Sequence, residues 1–500
     1  MRQRQVPCTR RVFRGHTGVS LTSVSYELVR PTLKVPVLPV REGIRAPDYR
    51  ECDLQNIIYH TIGIGFGPSN MALAIAVEET IGQSGEETFP IHFFEKKECF
   101  GWHRGMLIEG TTMQVSFLKD LATIRNPTST YGFLSYLNEK GRLVDFVNHK
   151  AIFPSRTEFH DYLEWAAARL KRHVSYASEV LEVLPVYQGD NIEYLDVVVQ
   201  QSGASSARKV FRTRNIVLAS GLEPKFPADV IASERVWHSS DTLHRIRHLS
   251  EAPRAISVVG AGQSAAEVTA FLYDHFRDTE VRAIFGRYGY SSSDDTPFIN
   301  KVFDPAAVDD YFHAPQDVKT TFMEQNKNTN YSVVDADLLN VLYRLWYQER
   351  VKNQQRLQFM NMTRVVATHT TAASVELSVE HILTGESRQI SSDIVIFATG
   401  YRPGNPMRFL GALASFFSYD KARQLNVDRD YRVSTAGNLK CGIYLQGSTE
   451  HSHGISSSLL SNISVRAGEI LESLLAGEPD RSCAIHAARD EDEHDVPLFQ

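Results

Sequence analysis

The sequence predicts an α/β fold with two Rossmann-like dinucleotide-binding domains and a smaller substrate-binding region. Three observations carry this. An apolar run, Ile57 to Ile64, breaks into Gly63-x-Gly65-x-x-Pro68 and leads into a small-residue helix. The same order returns at Ala255 to Val259, Gly260-x-Gly262 and a helix from Ser264 to Phe276. Two further runs, NIVLASGLEP (215–224) and DIVIFATGYRP (393–403), echo each other as strands that break at a glycine.

Taken in order, residues 1–50 stand apart. Arg2, Arg4, Arg10, Arg11 and Arg14 meet no acid until Glu27, a bias shared with mitochondrial transit peptides. The expectation is a disordered extension on a cytoplasmic protein, with mitochondrial import the alternative. Pro31, Pro36, Pro39 and Pro47 argue against one continuous helix there.

The β-branched run Ile57 to Ile64 reads as a buried parallel strand, Asn70 to Glu79 as a helix, and Ile91 to Glu95 as a second strand. Gly63, Gly65 and Gly67 let the backbone approach a pyrophosphate. Pro68, standing where the dinucleotide fingerprint has its third glycine, opens with Ser69 and Asn70 a helix whose N–H groups face that phosphate. Glu95, with Lys96 beside it, is placed to accept hydrogen bonds from a ribose.

The second unit repeats the plan with Gly260, Gly262, Gln263 and Ser264 at its turn and a closing strand from Val281 to Phe285. No acid ends that strand; Arg287 follows it. An acid suits a free ribose 2′-hydroxyl and an arginine a 2′-phosphate, so this turn favours NADPH. The layout is a FAD-binding domain (51–245 and 395–500) interrupted by an NADPH-binding domain (246–394), which carries a substrate-contributing insertion at about 288–345. One turn holds a flavin that stays and the other a nicotinamide that delivers hydride. The chain reads as a flavoprotein oxidoreductase.

Composition narrows the alternatives. A net charge of −6 gives no reason to expect nucleic acid as partner, and no apolar run approaches the roughly 20 residues that span a bilayer. The five cysteines contain no CxxC, against a redox dithiol or a four-cysteine zinc site. His451-x-His453 lacks further ligands in a convincing arrangement, so no metal is expected.

From about Ile57 to Leu475, an ordered set of segments resembles the microbial N-hydroxylating flavin monooxygenases, above all their ornithine N5-hydroxylating branch. The segments are GIGFGPSNMALAIA, FGWHRGM, MQVSFLKDLATIRNPTS, GAGQSAAE, DDTPFIN, NTNYSVVD, ATGYRP and HGISSSLLS. The resemblance implies that NADPH reduces FAD, molecular oxygen adds to give a C4a-hydroperoxide, and the side-chain amine of L-ornithine attacks its distal oxygen. NADP⁺ stays bound as a shield. The products are N5-hydroxyornithine and water, the first step of hydroxamate siderophore biosynthesis. No protein nucleophile is needed, because the cofactor carries the difficult step. Family members are often homotetramers.

The resemblance also assigns residues. Lys119 matches the lysine that pairs with the substrate carboxylate, Ser461 the substrate serine, and Asn300 and Asn330 the asparagines contacting substrate and nicotinamide nucleotide. Gln114 matches the glutamine beside the flavin ring. Trp102 and His103 line the FAD cradle, joined by Val180, with Ser458, Leu459 and Leu460 against the flavin. Tyr331 and Ser332 follow Asn330 toward NADPH. The chain departs from the family at Lys301, where an acid is usual, and at YGYSSS (288–293), which lacks the family's Leu-Arg-Pro. Three alternatives remain open: lysine N6-hydroxylation, another flavin monooxygenase, and a non-catalytic flavin-bound scaffold. The second would show FxGxxxHxxxW/F between the two turns, and no clear copy lies between Pro224 and Ala255.

Overall fold

A computed structural model describes residues 57–82, 89–202 and 208–477, so the arginine-rich segment lies outside the described residues. β1 (Ile58–Ile64), α1 (Pro68–Ile81) and β2 (Ile91–Phe94) form the first βαβ unit. α2 (Phe133–Glu139), α3 (Leu143–His149) and α4 (Arg156–Arg169) follow. Then come β3 (Val174–Ser175), β4 (Ser178–Gln188), β5 (Asn191–Gln201) and β6 (Arg208–Leu218). Short strands β7 (Leu222–Pro224) and β8 (Val236–His238) and helix α5 (Thr242–Ile246) lead to the second unit. That unit is β9 (Ala255–Val259), α6 (Gln263–His275) and β10 (Glu280–Ile284). α7 (Pro305–His313), α8 (Gln316–Asn326) and α9 (Ala336–Val351) separate β10 from β11 (Leu357–Met360). An antiparallel meander, β12 (Thr363–Thr370), β13 (Val375–His381) and β14 (Ser387–Ser392), precedes β15 (Ile394–Phe397) and β16 (Tyr401–Pro403). The chain ends with α10 (Met407–Leu410), β17 (Gly442–Leu445), α11 (Glu450–His453) and α12 (Ile463–Ala476).

The first sheet runs β3-β2-β1-β6-β5-β4, with β17 also on β6. The second is a parallel sheet, β11-β10-β9-β15-β8. β7 and β16 pair antiparallel where the chain passes between them. β1 is buried from its second residue onward, as a central parallel strand covered on both faces must be. α1 buries every residue from Asn70 to Val77, and its Pro68 occupies the first helical position, where a missing N–H costs nothing.

The two sheets repeat one device. Gly65 N–H donates to Phe94 O at 2.8 Å and Ala219 N–H to Ile64 O at 2.9 Å. In the second sheet Gly260 N–H donates to Ile284 O at 3.0 Å and Ala398 N–H to Val259 O at 2.8 Å. The echoing segments 215–224 and 393–403 therefore lie beside the two glycine turns, at equivalent places. Gly65 (φ 85°) and Gly260 (φ 152°) adopt a backbone that favours glycine, and a Cβ on either would meet the neighbouring carbonyl, Ala219 O at 2.5 Å or Ala398 O at 2.3 Å.

Two boundaries differ from expectation. β8 pairs with β15, so the second sheet begins at Val236 rather than after 245. Within the expected insertion, α9 packs on α6 and leads directly into β11, so from Ala336 onward the chain is the crossover helix of the parallel sheet. Among the described residues no helix is long and apolar enough to cross a membrane.

Candidate active site at the carboxyl ends of the two sheets

A cleft of about 1480 Å³ opens where β1, β2 and β6 end and reaches Gln263, the first residue of α6. Open parallel sheets bind ligands at this end of their strands. The volume exceeds the roughly 300–1,000 Å³ of ordinary small-molecule pockets, so there is room for more than one ligand.

At the first turn Gly65, Gly67, Pro68 and Ser69 face the cleft. A Cβ on Gly67 would meet no protein atom within 4 Å, which leaves the backbone open to close approach at the N-terminus of α1. Glu95 lines the cleft and also ties the turn: Oε2 accepts from Phe66 N–H at 2.8 Å and Oε1 from Lys97 N–H at 3.0 Å. Each oxygen keeps a lone pair for a ribose hydroxyl. Lys96, Trp102, His103 and Val180 are on the same wall, with Trp102 edge-on to His103 at 4.6 Å. These residues fit a flavin dinucleotide with its diphosphate over α1.

Two expected flavin residues lie behind that wall instead. The missing side chain of Gly63 makes room for the Phe93 ring, whose Cδ1 would sit 2.0 Å from a Cβ. Asn70 is fully buried, donates to Gly65 O at 2.7 Å and accepts from Gln446 Nε2 at 3.0 Å. Both shape the turn from within the core.

The second turn is more covered. Gly262 lies under Ser332, whose Cα would be 3.4 Å from a Cβ. Arg287 Nη1 donates to Ser332 O at 2.9 Å and to Ser291 Oγ at 3.2 Å, with no carboxylate partner among the described residues. Gly262, Ser332 and Arg287 are thus brought together. They lie off the cleft wall, as do Gly260, Ser264 and Tyr331; Gln263 and Asn330 reach it. Tyr331 Oη donates to Glu450 Oε1 at 2.6 Å, which also accepts from Ser458 Oγ at 2.5 Å.

Lys119, Asn300, Asn330 and Ser461 come from separate segments and converge on this cleft, with Gln114, Leu459 and Leu460. Lys119 is half-buried, and among the described residues its ammonium has neither a hydrogen bond nor an ion pair. Its loop is held by the next residue. Asp120 is 1% exposed and accepts from Ala122 N–H at 2.9 Å, Thr123 N–H at 2.6 Å, Thr123 Oγ1 at 2.7 Å and Phe133 N–H at 2.6 Å. Asn300 Nδ2 donates to Asp295 O at 2.8 Å. Lys301, the departure from the family pattern, is 71% exposed, 3.8 Å from Asp304, and off the wall. His451 Nε2 donates to Leu425 O at 2.9 Å, and His453 stacks on Tyr431 at 4.1 Å; both serve packing.

Sequence reasoning missed a polar chain that crosses between the sheets. Arg156 meets Glu267 with two contacts of 2.7 Å, and Gln263 Nε2 donates to Glu267 Oε1 at 3.0 Å. Asp335 N–H donates to Gln263 Oε1 at 2.8 Å, while Asp335 Oδ2 accepts from Gln114 Nε2 at 3.3 Å. Glu267 and Asp335 end two of the recognised segments, GAGQSAAE and NTNYSVVD. Nothing local distinguishes them from solvated acids.

The pattern of the L-lysine 6-monooxygenase/L-ornithine 5-monooxygenase family matches residues 57–403. The chain belongs to this family. A structure of the ornithine N-hydroxylase of Kutzneria sp. 744, with reduced FAD, NADP⁺ and L-ornithine, is 45% identical with a TM-score of 0.79, covering 84% of this chain and 99% of that one. The L-ornithine N(5)-monooxygenase of Pseudomonas aeruginosa is 36% identical over 424 residues, 84% of this chain and 94% of that relative. Among lysine-named members of the family, the L-lysine 6-monooxygenase of Pseudomonas syringae is 30% identical with a TM-score of 0.74, covering 84% of this chain and 99% of that one.

Proposed function

We propose that this protein is an FAD- and NADPH-dependent monooxygenase that hydroxylates the side-chain amine of L-ornithine, giving N5-hydroxyornithine and water, at the entry to hydroxamate siderophore synthesis. The observation that carries the reading is the half-buried Lys119 ammonium, unpaired among the described residues, in the same cleft as the α1 turn. A cation without a partner at the edge of a ligand cleft suits a carboxylate. When bound, FAD reduced by NADPH supplies the activation of molecular oxygen. The chain's own residues do the rest. Lys119 pairs with the α-carboxylate, and Asn300 and Ser461 hold the amino-acid end, so that the chain's far amine points at the flavin. Asn330 and Gln263 face the nicotinamide nucleotide, and Arg287 reads its 2′-phosphate. Positioning and exclusion of water are the protein's contribution.

Ornithine is favoured over lysine because the chain is 45% and 36% identical to the two ornithine enzymes and 30% identical to the lysine enzyme. One methylene is worth only about 1–3 kcal/mol in a pocket, so both substrates belong in the test. Purified, FAD-loaded protein with NADPH and oxygen should form hydroxylamine from ornithine at least tenfold more efficiently than from lysine. Equal or reversed efficiencies would overturn the substrate, and amine-independent NADPH oxidation with no hydroxylamine would overturn the reaction. The same reading includes a FAD domain formed by the segments around β1–β6 and β17, with the nicotinamide domain starting at β8. It also includes a cytoplasmic homotetramer, which size-exclusion with light scattering would test.

A further inference from the structure

Arg466 is 2% exposed, within the first turns of α12, and has no carboxylate within ion-pair distance among the described residues. Its guanidinium donates to Ser457 O and, at 3.2 Å, to Ser69 Oγ, while Nε has no partner. Glu469, the acid whose field reaches it, is bonded to Arg429 at 2.8 Å. Two neighbouring groups, Ser457 Oγ and Asn462 Nδ2, are also buried without a partner. The Tyr431 ring, 5.9 Å from the guanidinium carbon, offers a buried cation only weak compensation, so such a site implies an anion that the described residues do not provide.

The place of that anion follows from the wall in front of Arg466. Ser69, at the N-terminus of α1, and Leu459, Leu460, Ser461 and Ile463, leading into α12, line the cleft, and Arg466 lies one layer behind them. Both helices direct positive N-terminal ends at the same region. The turn bonded to Arg466 shares its wall with Lys119 and Asn300, where the reacting end of the flavin must lie if the amine is to reach it. Hydride transfer from NADPH moves two electrons and one hydrogen to the flavin and leaves NADP⁺. Without uptake of a further proton, the reduced ring gains one negative charge. The diphosphate's charge is the same in both oxidation states.

We infer that Arg466 is the buried counter-charge for the reduced flavin ring, a positioning residue that acts through Ser69 and the 457–461 turn rather than by touching substrate. The inference rests on the proposed flavin-dependent reading. Arg466→Gln keeps hydrogen-bond donors and removes the charge; Arg466→Met removes both; Arg466→Lys keeps the charge. In FAD-loaded protein without substrate, both uncharged variants should lower the two-electron midpoint by about 30–60 mV, a ten- to hundredfold loss in the reduction equilibrium. They should also raise the pH at which bound reduced flavin takes up its proton, read from its absorbance. Arg466→Lys should restore most of both shifts. An unchanged midpoint and an unchanged ionisation in the uncharged variants would overturn the assignment. So would a loss of affinity for oxidised FAD with neither property moved, which would give the charge to the diphosphate. A shifted midpoint in protein that fails to hydroxylate ornithine would support Arg466 and overturn the proposed substrate or reaction instead.

Discussion

Gly65 and Gly67 stand in one turn, yet their substitutions should fail differently. A Cβ on Gly65 would meet Ala219 O at 2.5 Å on a backbone with φ 85°, so Gly65→Val strains the fold itself. A Cβ on Gly67 would meet no atom of the described residues within 4 Å and points into the space offered to a diphosphate. Gly67→Val should therefore melt within a few degrees of the wild type but purify without yellow colour. A fully flavin-loaded Gly67→Val variant would sink the placement of FAD at this turn. Lys119 is the second residue to test. Lys119→Ala leaves a bound carboxylate without its cation, at a cost of roughly 2–4 kcal/mol, about thirty- to a thousandfold in kcat/KM. Because the residue serves neither cofactor in this reading, NADPH and oxygen should still be consumed, with hydrogen peroxide replacing hydroxyornithine. Parallel assay of NADPH, peroxide and product decides it, and unchanged hydroxylation efficiency means the carboxylate binds elsewhere.

At the scale of elements, an ion pair links α4 to α6. Ser155 caps α4, accepting from Glu158 N–H at 3.1 Å, and so sets Arg156 at the first helical position, facing Glu267 on α6. Glu267 is only 2% exposed at its side chain and Arg156 13%. Glu267→Gln keeps the shape but leaves Arg156 without its anion in a site shielded from water. Removing one partner of a buried pair costs about 3–5 kcal/mol. The expected result is a fall of that order in unfolding free energy by urea titration, with a raised KM for NADPH because Gln263, at the nicotinamide turn, loses its carboxylate acceptor. A variant with wild-type stability would show that the two sheets are held together by apolar packing instead.

For the whole molecule, acid should loosen the fold before most carboxylates protonate. His92 is 6% exposed, and burial, aided by the field of His173, pushes its pKa down to about 4. Burial, with the Arg429 and Arg466 charges nearby, pushes His453 down to about 3. An unfolded histidine titrates near 6.5, so between that pH and about 4 the unfolded chain binds protons that the folded chain refuses. Stability from these two residues is complete above about pH 6.5 and is lost as pH falls through 4 toward 3. Melting temperature should decline steadily over that window, and His92→Gln should flatten part of the decline. A melting temperature constant from about pH 7 to 4.5 would contradict this.

The sequence alone was enough for the repeated strand–glycine–helix plan, because buried parallel strands are continuous apolar runs and a phosphate turn demands glycine in the chain itself. β9 was legible to the residue, and β1, α1, β10 and α6 to within one or two at most ends. Lys119, Asn300, Asn330 and Ser461 were legible only through resemblance, since nothing local separates such residues from a surface lysine, turn asparagines or a helix cap. Tertiary structure decided what depends on partners distant in the chain. It showed Gly63 under Phe93 and Asn70 behind the turn, and it moved the start of the second sheet back to β8. It alone paired Glu267 with Arg156 across 111 positions and buried Arg466 beside Ser69 across 397. A charged residue in a helix reads as solvent-facing until the fold removes the water, and the energy of a charge depends on what replaces that water.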